Sequence, residues 1–319
     1  MKRNGWVIIM LGFAFFATAQ NEVPFSQYNM AQGYYNPATA GRSGDLDLCA
    51  LYRLQWMGWT NAPKTFYATA NMPYYLFNKE HGIGVAVVSD NISSLYQDLS
   101  AGLQYAYLKK MGKGKLRIGV QLGMISRTAG GNQIVTPDST DSSGGADIAI
   151  PTTKIEKKVF DANIGIFYAT EKFYFGAAVM HLTEPVIEEE NLYTFINRGY
   201  NFIAGYNIRL NNPLFELQPS AFVQTNFNTY RVDVSARAVY GKRYSAGLSW
   251  RLNENLLADA VVWLLGATFG KIEGGYAYDI PLSNIGRGTI GSHELFIKYR
   301  MQLDKPKTGQ SRHKSVRLL

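Results

Sequence analysis

The groups in this chain able to do chemistry are few and widely scattered. Its four histidines are His81, His181, His293 and His313, and its one cysteine is Cys49. None of the histidines pairs with a cysteine or carboxylate at metal-ligand spacing. Cys49 lies in an apolar alternation and reads as a packed small hydrophobe; with one cysteine there is no intrachain disulfide. Glu188-Glu189-Glu190 could attract a cation, but a charge run of this kind reads first as a solvated loop. There is no Gly-x-Ser-x-Gly nucleophile elbow and no phosphate-cradling glycine loop. No catalytic residue, cofactor or metal is expected. The charged residues that do repeat with a period are Arg117, Arg209, Arg231, Asp233 and Arg237, each set among apolar neighbours. Their position in the alternation, more than their chemistry, asks for an explanation.

Thr229–Tyr240 shows that alternation most clearly. Tyr230, Val232, Val234, Ala236, Ala238 and Tyr240 fall on even positions, and Arg231, Asp233, Ser235 and Arg237 on odd ones. A period of two is a strand with two unlike faces. A tyrosine at each end of the apolar face suits a membrane strand, where aromatics mark the two interfaces. About 11 residues, tilted, span roughly 25 Å, the height of a barrel's apolar band. From this strand alone, a soluble all-β domain and a transmembrane barrel both remain open.

Composition keeps both open. The 319 residues include 21 Tyr, 17 Phe and 31 Gly, hydrophobic content is 46%, and the net charge is +8. No apolar run reaches the roughly 18 residues of a spanning helix. Much of the charge excess lies at the ends: Lys2 and Arg3, then Lys305, Lys307, Arg312, Lys314 and Arg317 against Asp304. No basic face interleaved with aromatics is evident, so nucleic acid is not an expected partner.

In chain order, residues 1–19 read as a signal peptide, with Lys2 and Arg3, the apolar Trp6–Phe16, and the small-x-small Ala17-Thr18-Ala19 before Gln20. Residues 20–45 have no clean period but many aromatics, and read as an ordered periplasmic or lumenal lead-in. Residues 46–303 form about 14 alternating segments, and 304–319 a basic tail. The expected strands begin with Leu46–Leu54 and Lys64–Tyr75 and end with the row Leu295, Ile297, Tyr299, Met301, Leu303. Thr128–Lys158 and Thr183–Arg198 are expected polar loops, Gly241-Lys242 a two-residue turn, and Thr268–Ile280 the thirteenth strand. With the N-terminus on the inner side, connections after odd-numbered strands face outward. The longest follow strands 5, 7 and 13, and the shortest follow 6, 8 and 10. A soluble β-domain has no reason to sort its loops this way; an outer-membrane barrel does. The fold class expected is therefore all-β, a transmembrane antiparallel β-barrel of about 14 strands with an N-terminal lead-in.

Phe25-Ser26-Gln27-Tyr28, then Tyr35-Asn36-Pro37-Ala38-x-Ala40-Gly41, then Arg53-x-Gln55-Trp56-x-Gly58 with Pro63 and Thr65, resemble the PorP/SprF family of outer-membrane proteins of the Bacteroidetes type IX secretion system. Gly82-Ile83-Gly84 and Gly291-Ser292-His293-Glu294-Leu295 are similar to the family as well. The resemblance implies a 14-stranded barrel that works with the secretion apparatus in gliding motility and adhesin export. The partners it implies are other type IX components (the periplasmic ring lipoprotein and ring protein) and/or secreted proteins with C-terminal sorting domains, together with outer-membrane lipid. It implies no catalytic residues. It makes Phe25, Gln27, Tyr28, Asn36, Pro37, Arg53, Gln55, Trp56, His293 and Glu294 the candidate docking residues. The usual terminal aromatic of an outer-membrane strand is absent, and the basic tail is either a docking segment or a solvated end. A passive porin or apolar-solute transporter is the alternative function. An outer-membrane enzyme would need a nucleophile–base pair on neighbouring strands.

Overall fold

A computed structural model describes residues 22–77, 79–92, 96–129, 155–189, 192–253 and 257–304. The proposed signal peptide, residues 130–154 and the tail from 305 onward lie outside the described residues. Alternation builds the wall. Its strands are β1 Leu46–Leu54, β2 Lys64–Leu76, β3 Lys79–Asn91, β4 Tyr96–Met111, β5 Gly114–Ala129, β6 Ile155–Ala169, β7 Phe173–Met180, β8 Gly199–Tyr206, β9 Phe215–Thr225, β10 Tyr230–Tyr240, β11 Tyr244–Leu252, β12 Ala258–Phe269, β13 Ile272–Pro281 and β14 Ser292–Met301. Each pairs antiparallel with the next, and β1 closes on β14 from Leu46 opposite Met301 to Leu54 opposite His293. The result is a closed 14-strand barrel. Closure leaves no sheet edge, and every backbone donor and acceptor of a strand can be met by a neighbour without water.

The faces are inverted relative to a water-soluble protein. On β10, Tyr230, Val234 and Tyr240 are exposed, whereas Arg231, Asp233 and Ser235 are buried. On β4 and β5, Leu103, Leu122 and Met124 point out and Gln104 and Arg117 point in. A wall with its apolar side chains outside and its charges inside is stable only against hydrocarbon. No helix among the described residues is long and apolar enough to cross a membrane, which says nothing of crossing by strands.

The rims differ as the loop lengths predict. One carries connections 55–63, 92–95, 130–154, 181–198, 226–229, 253–257 and 282–291. The other carries 77–78, 112–113, 170–172, 207–214, 241–243 and 270–271, together with the start of β1 and the end of β14. At 241–243, Gly241 and Lys242 both take positive φ (58° and 56°), the mirror-image turn that matches strand twist.

Several boundaries depart from the sequence reading. Strands β4 to β6 are longer than their clean apolar rows: Thr128 and Ala129 pair with Glu156 and Ile155, so less of Thr128–Lys158 is loop. Connection 181–198 contains its own hairpin, Val186–Glu189 with Leu192–Phe195. Thr268 and Phe269 belong to β12, because Phe269 pairs with Ile272 across the turn. The connection after β8 is not among the shortest: β8 stops at Tyr206, and Ile208–Arg209 pairs as a separate piece with Leu217 and Glu216. Arg209 consequently sits exposed on the short-turn rim and does not face inward.

Candidate functional site

The barrel does not enclose an empty channel. Residues 22–41 run down its lumen from the long-loop rim to the short-turn rim and then enter β1. The segment has no hydrophobic period because it is surrounded on all sides. Phe25, Tyr28, Ala31, Tyr35 and Ala38 are buried against Leu51, Tyr67, Phe167, Ile203 and Phe222 of the wall. Phe25 packs edge-on to Tyr34 and Tyr35, and Tyr28 stacks on Phe222 at 5.3 Å. Its regular structure is slight: one helical turn at Gln32–Tyr35 and a 3-10 turn at Pro37–Thr39, which the Asn36 side chain caps by accepting from the Ala38 N–H.

Near the long-loop rim the segment is held by a buried ionic latch. Arg53 of β1 donates to Asp279 of β13 (2.9 Å) and to Glu294 of β14 (3.2 Å). Arg251 of β11 bridges Asp279 (2.8 Å) and Asp233 (2.9 Å) of β10. Arg231 lies 2.8 Å from Asp233, close enough to pair but off line for a hydrogen bond. Three guanidiniums thus meet three carboxylates, and charge balances among side chains that are all buried. The segment completes the set. The Ser26 hydroxyl donates to Asp279 and accepts from Arg53 and Arg251, and the Ser26 and Gln27 N–H groups donate to the two oxygens of Glu294 at 2.9 and 2.8 Å. Arg231 donates to the Phe25 carbonyl.

Midway, the Tyr28 hydroxyl bonds Ser220 and Ser235, and Gln104 donates to the Gly33 carbonyl. Lower, Asn36 donates to the Ile166 and Ala177 carbonyls, Asn201 to Tyr35, and Arg117 to Ala40 and Gly41. Here the wall makes room by omission. A Cβ on Gly119 would overlap the Ala38 backbone, one on Gly165 the Asn36 side chain, and one on Gly82 the Ala40 carbonyl.

At the top, Glu22 lies 3.4 Å from His181, whose other ring nitrogen is 3.0 Å from Asp161. Burial opposes the charged imidazole, but the bonds to Asp161 and Glu22 outweigh it and hold the ring protonated up to about 10. A raised folded-state value stabilises fully below the ordinary 6.5 and loses that contribution as pH climbs through about 10. The start of the segment should therefore loosen in alkali. Limited proteolysis of the folded barrel should cut near residue 22 increasingly between those two values, and His181→Gln should remove the alkaline step. An unchanged cleavage rate across that range in the wild type would show that this contact does not hold the segment.

Above the latch a vestibule of about 500 Å³ opens toward the long-loop rim, walled by Gln55, Trp56, Asp90, Tyr230 and Asp259 over a floor of Arg53 and Arg251. Trp56 takes positive φ (52°), with its N–H on the Ser292 hydroxyl, so the 55–63 loop folds against 282–291.

The candidate residues thus separate. Phe25, Gln27, Tyr28, Arg53 and Glu294 meet at or near the latch. Asn36 and Pro37 lie lower, on the glycine floor. Gln55 and Trp56 wall the vestibule. His293 turns away: it shares the outward face with Leu295 and bonds the Tyr276 hydroxyl at 2.5 Å. Of the inward charges, Arg117, Arg231, Asp233 and Arg237 form a packed polar interior. Asp279 and Arg251, central to the latch, were missed, although each is a charged residue at an inward position of an apolar strand, which is the signal that would have found them.

A family model described as type IX secretion system membrane protein PorP/SprF matches residues 17–299. No curated protein matches. Among solved structures, the Ralstonia pickettii toluene transporter TbuX is similar with TM-score 0.51 and 11% identity over 86% of this chain and 94% of that one. The Acinetobacter baumannii outer membrane protein Omp33 follows at TM-score 0.46 and 9% identity over 81% and 98%, and a Pseudomonas aeruginosa FadL homologue at 0.48 and 11% over 84% and 93%. At such identities the likeness is one of fold.

Proposed function

The chain belongs to the PorP/SprF family of type IX secretion system membrane proteins, and from that premise we propose that it is an outer-membrane docking component of this export machine in a Bacteroidetes-type cell. The observation that carries this reading is the filled lumen. A barrel whose interior is occupied by its own start, and latched there by buried charge, is a rigid platform whose useful surfaces are its two rims and its lipid face. The alternative, a passive porin or apolar-solute transporter, requires a through-path that residues 22–41 occupy. In this reading residues 1–19 are a cleaved signal, the short-turn rim and the basic tail face the periplasm, and the long loops face outward. The periplasmic ring lipoprotein and ring protein would then meet the short-turn rim. A secreted protein's sorting domain, passing outward for adhesin display or gliding motility, would meet the vestibule at Gln55 and Trp56. Phe25, Gln27, Tyr28, Asn36, Pro37, Arg53 and Glu294 would act by holding the platform's shape, and His293 from its outer wall.

Deleting the gene tests this. Export of a specific set of sorting-domain proteins should stop while uptake of small solutes continues, and the intact chain should restore export. Normal export with impaired solute uptake would replace this reading with the transporter.

A further inference from the structure

The two rims differ in charge as well as in length. Each of the six short connections carries a cation in it or directly beside it: Lys79, Lys113, Lys172, Arg209, Lys242 and Lys271. All six are exposed. Lys79 lies over the Tyr107 ring at 5.8 Å, and the other five have no ion-pair partner among the described residues. Exposed acids near them are fewer, Glu171 and Asp304; Asp45, Glu80, Glu216 and Glu273 are half-buried, and Glu80 pairs with Lys115 and Arg117. On the long-loop rim, by contrast, Lys64 and Arg287 are the exposed cations without an ion pair among the described residues. Nothing in folding asks for this. A tight turn needs glycine or asparagine at its tip, not lysine, and six like charges around one rim repel one another.

We infer that the short-turn rim binds the anionic phospholipid headgroups of the leaflet around it, as a charged collar that fixes the barrel's depth and direction. Two features favour lipid as what these cations meet around the outside of the rim, leaving the end face of the barrel free for protein partners. The cations go round the whole circumference, at least one at every turn, with Lys109 and Lys110 added beside Lys113 and Arg243 beside Lys242, as an annulus of headgroups requires; a protein docked on one flank would meet an arc. They also stand one to a few residues beyond exposed rings: Phe173 beside Lys172, Tyr240 and Tyr244 around Lys242, Phe269 before Lys271. Such rings sit at the lipid–water interface, so the ammonium groups just beyond them reach the phosphate level. Lys79 lies over the Tyr107 ring, so here too a cation and an aromatic ring stand side by side at this rim. The collar requires that the barrel span a bilayer, but it does not depend on the secretion reading.

The full chain and the charge-reversed variant K113E/K172E/K242E/K271E are refolded into vesicles of phosphatidylcholine, with and without phosphatidylglycerol. Each of these turns is exposed, and folding in neutral vesicles, read by heat-modifiable migration, serves as the control. The wild type should retain phosphatidylglycerol preferentially, about fivefold more weakly for each cation removed, and lose the preference at high salt. The variant should show none or prefer phosphatidylcholine. Equal retention of both lipids by the wild type, or an undiminished preference in the variant, would overturn the proposal. A wild type indifferent to phosphatidylglycerol whose variant no longer captures an acidic periplasmic protein would assign these cations to protein docking and refute the lipid collar.

Discussion

In a planar bilayer the intact chain should carry no steady current, and the chain lacking residues 22–41 should conduct. The wall is complete without the segment: all fourteen strands pair with one another and none pairs with it. What the segment supplies is filling. Its removal leaves the inward faces of Gln104, Arg117, Asn201 and Asp233 lining a polar passage that water and ions can enter. Heat-modifiable migration of the shortened chain would show that the barrel had closed. A closed barrel that stayed silent would mean that the wall collapses inward or the outer loops seal it, and that the segment is not the barrier.

The second large effect is expected at the latch. Arg53→Ala removes the partner of two carboxylates that are almost wholly buried. Asp279 keeps Arg251, but Glu294 keeps only the two N–H groups of the segment. Breaking a buried pair from one side costs about 3–5 kcal/mol, since the remaining charge cannot be solvated. The variant should unfold at markedly lower temperature, and its first residues should become open to protease while the strands remain protected. Arg53→Met combined with Glu294→Met should recover part of that loss, because the unpaired charge is then gone. If Arg53→Ala melts like the wild type, the latch is not what holds the segment. Should the double variant prove as weak as Arg53→Met and Glu294→Met measured singly and added, the residues act independently and the pairing seen between them carries no energy.

The family resemblance of the opening motifs is legible in the residues themselves, but its meaning is not. Phe25-Ser26-Gln27-Tyr28 and Arg53-x-Gln55-Trp56 look like two local motifs. In space the first is a strap and the second half of its buckle, and Ser26 meets Glu294 across a separation of 268 residues. Neighbours in sequence also take opposite sides of the wall. His293 and Glu294 belong to one motif, yet one faces lipid and the other the latch, as the parity of Leu295 and Ile297 already implies. The two boundaries misread by sequence fail in opposite ways: at Arg209 an apolar row runs on past the end of β8, and at Thr268 the pairing of β12 runs on past the turn that the sequence suggests.

What the sequence alone determined is the wall. A period of two sorts every side chain to one face or the other with no reference to distant residues, so the strands, the inverted faces and the sorting of long and short connections could all be read from the chain. What only the tertiary structure decided is the interior. Residues 22–41 have no period because they touch the inward faces of many strands at once. Their partners are single side chains far away in sequence, and the space they fill is set by glycines such as Gly119 and Gly165, whose part is to be absent. Contacts of that kind leave no local pattern, since the physics that selects them is fit and charge balance in a dry cavity that exists only after the barrel has closed.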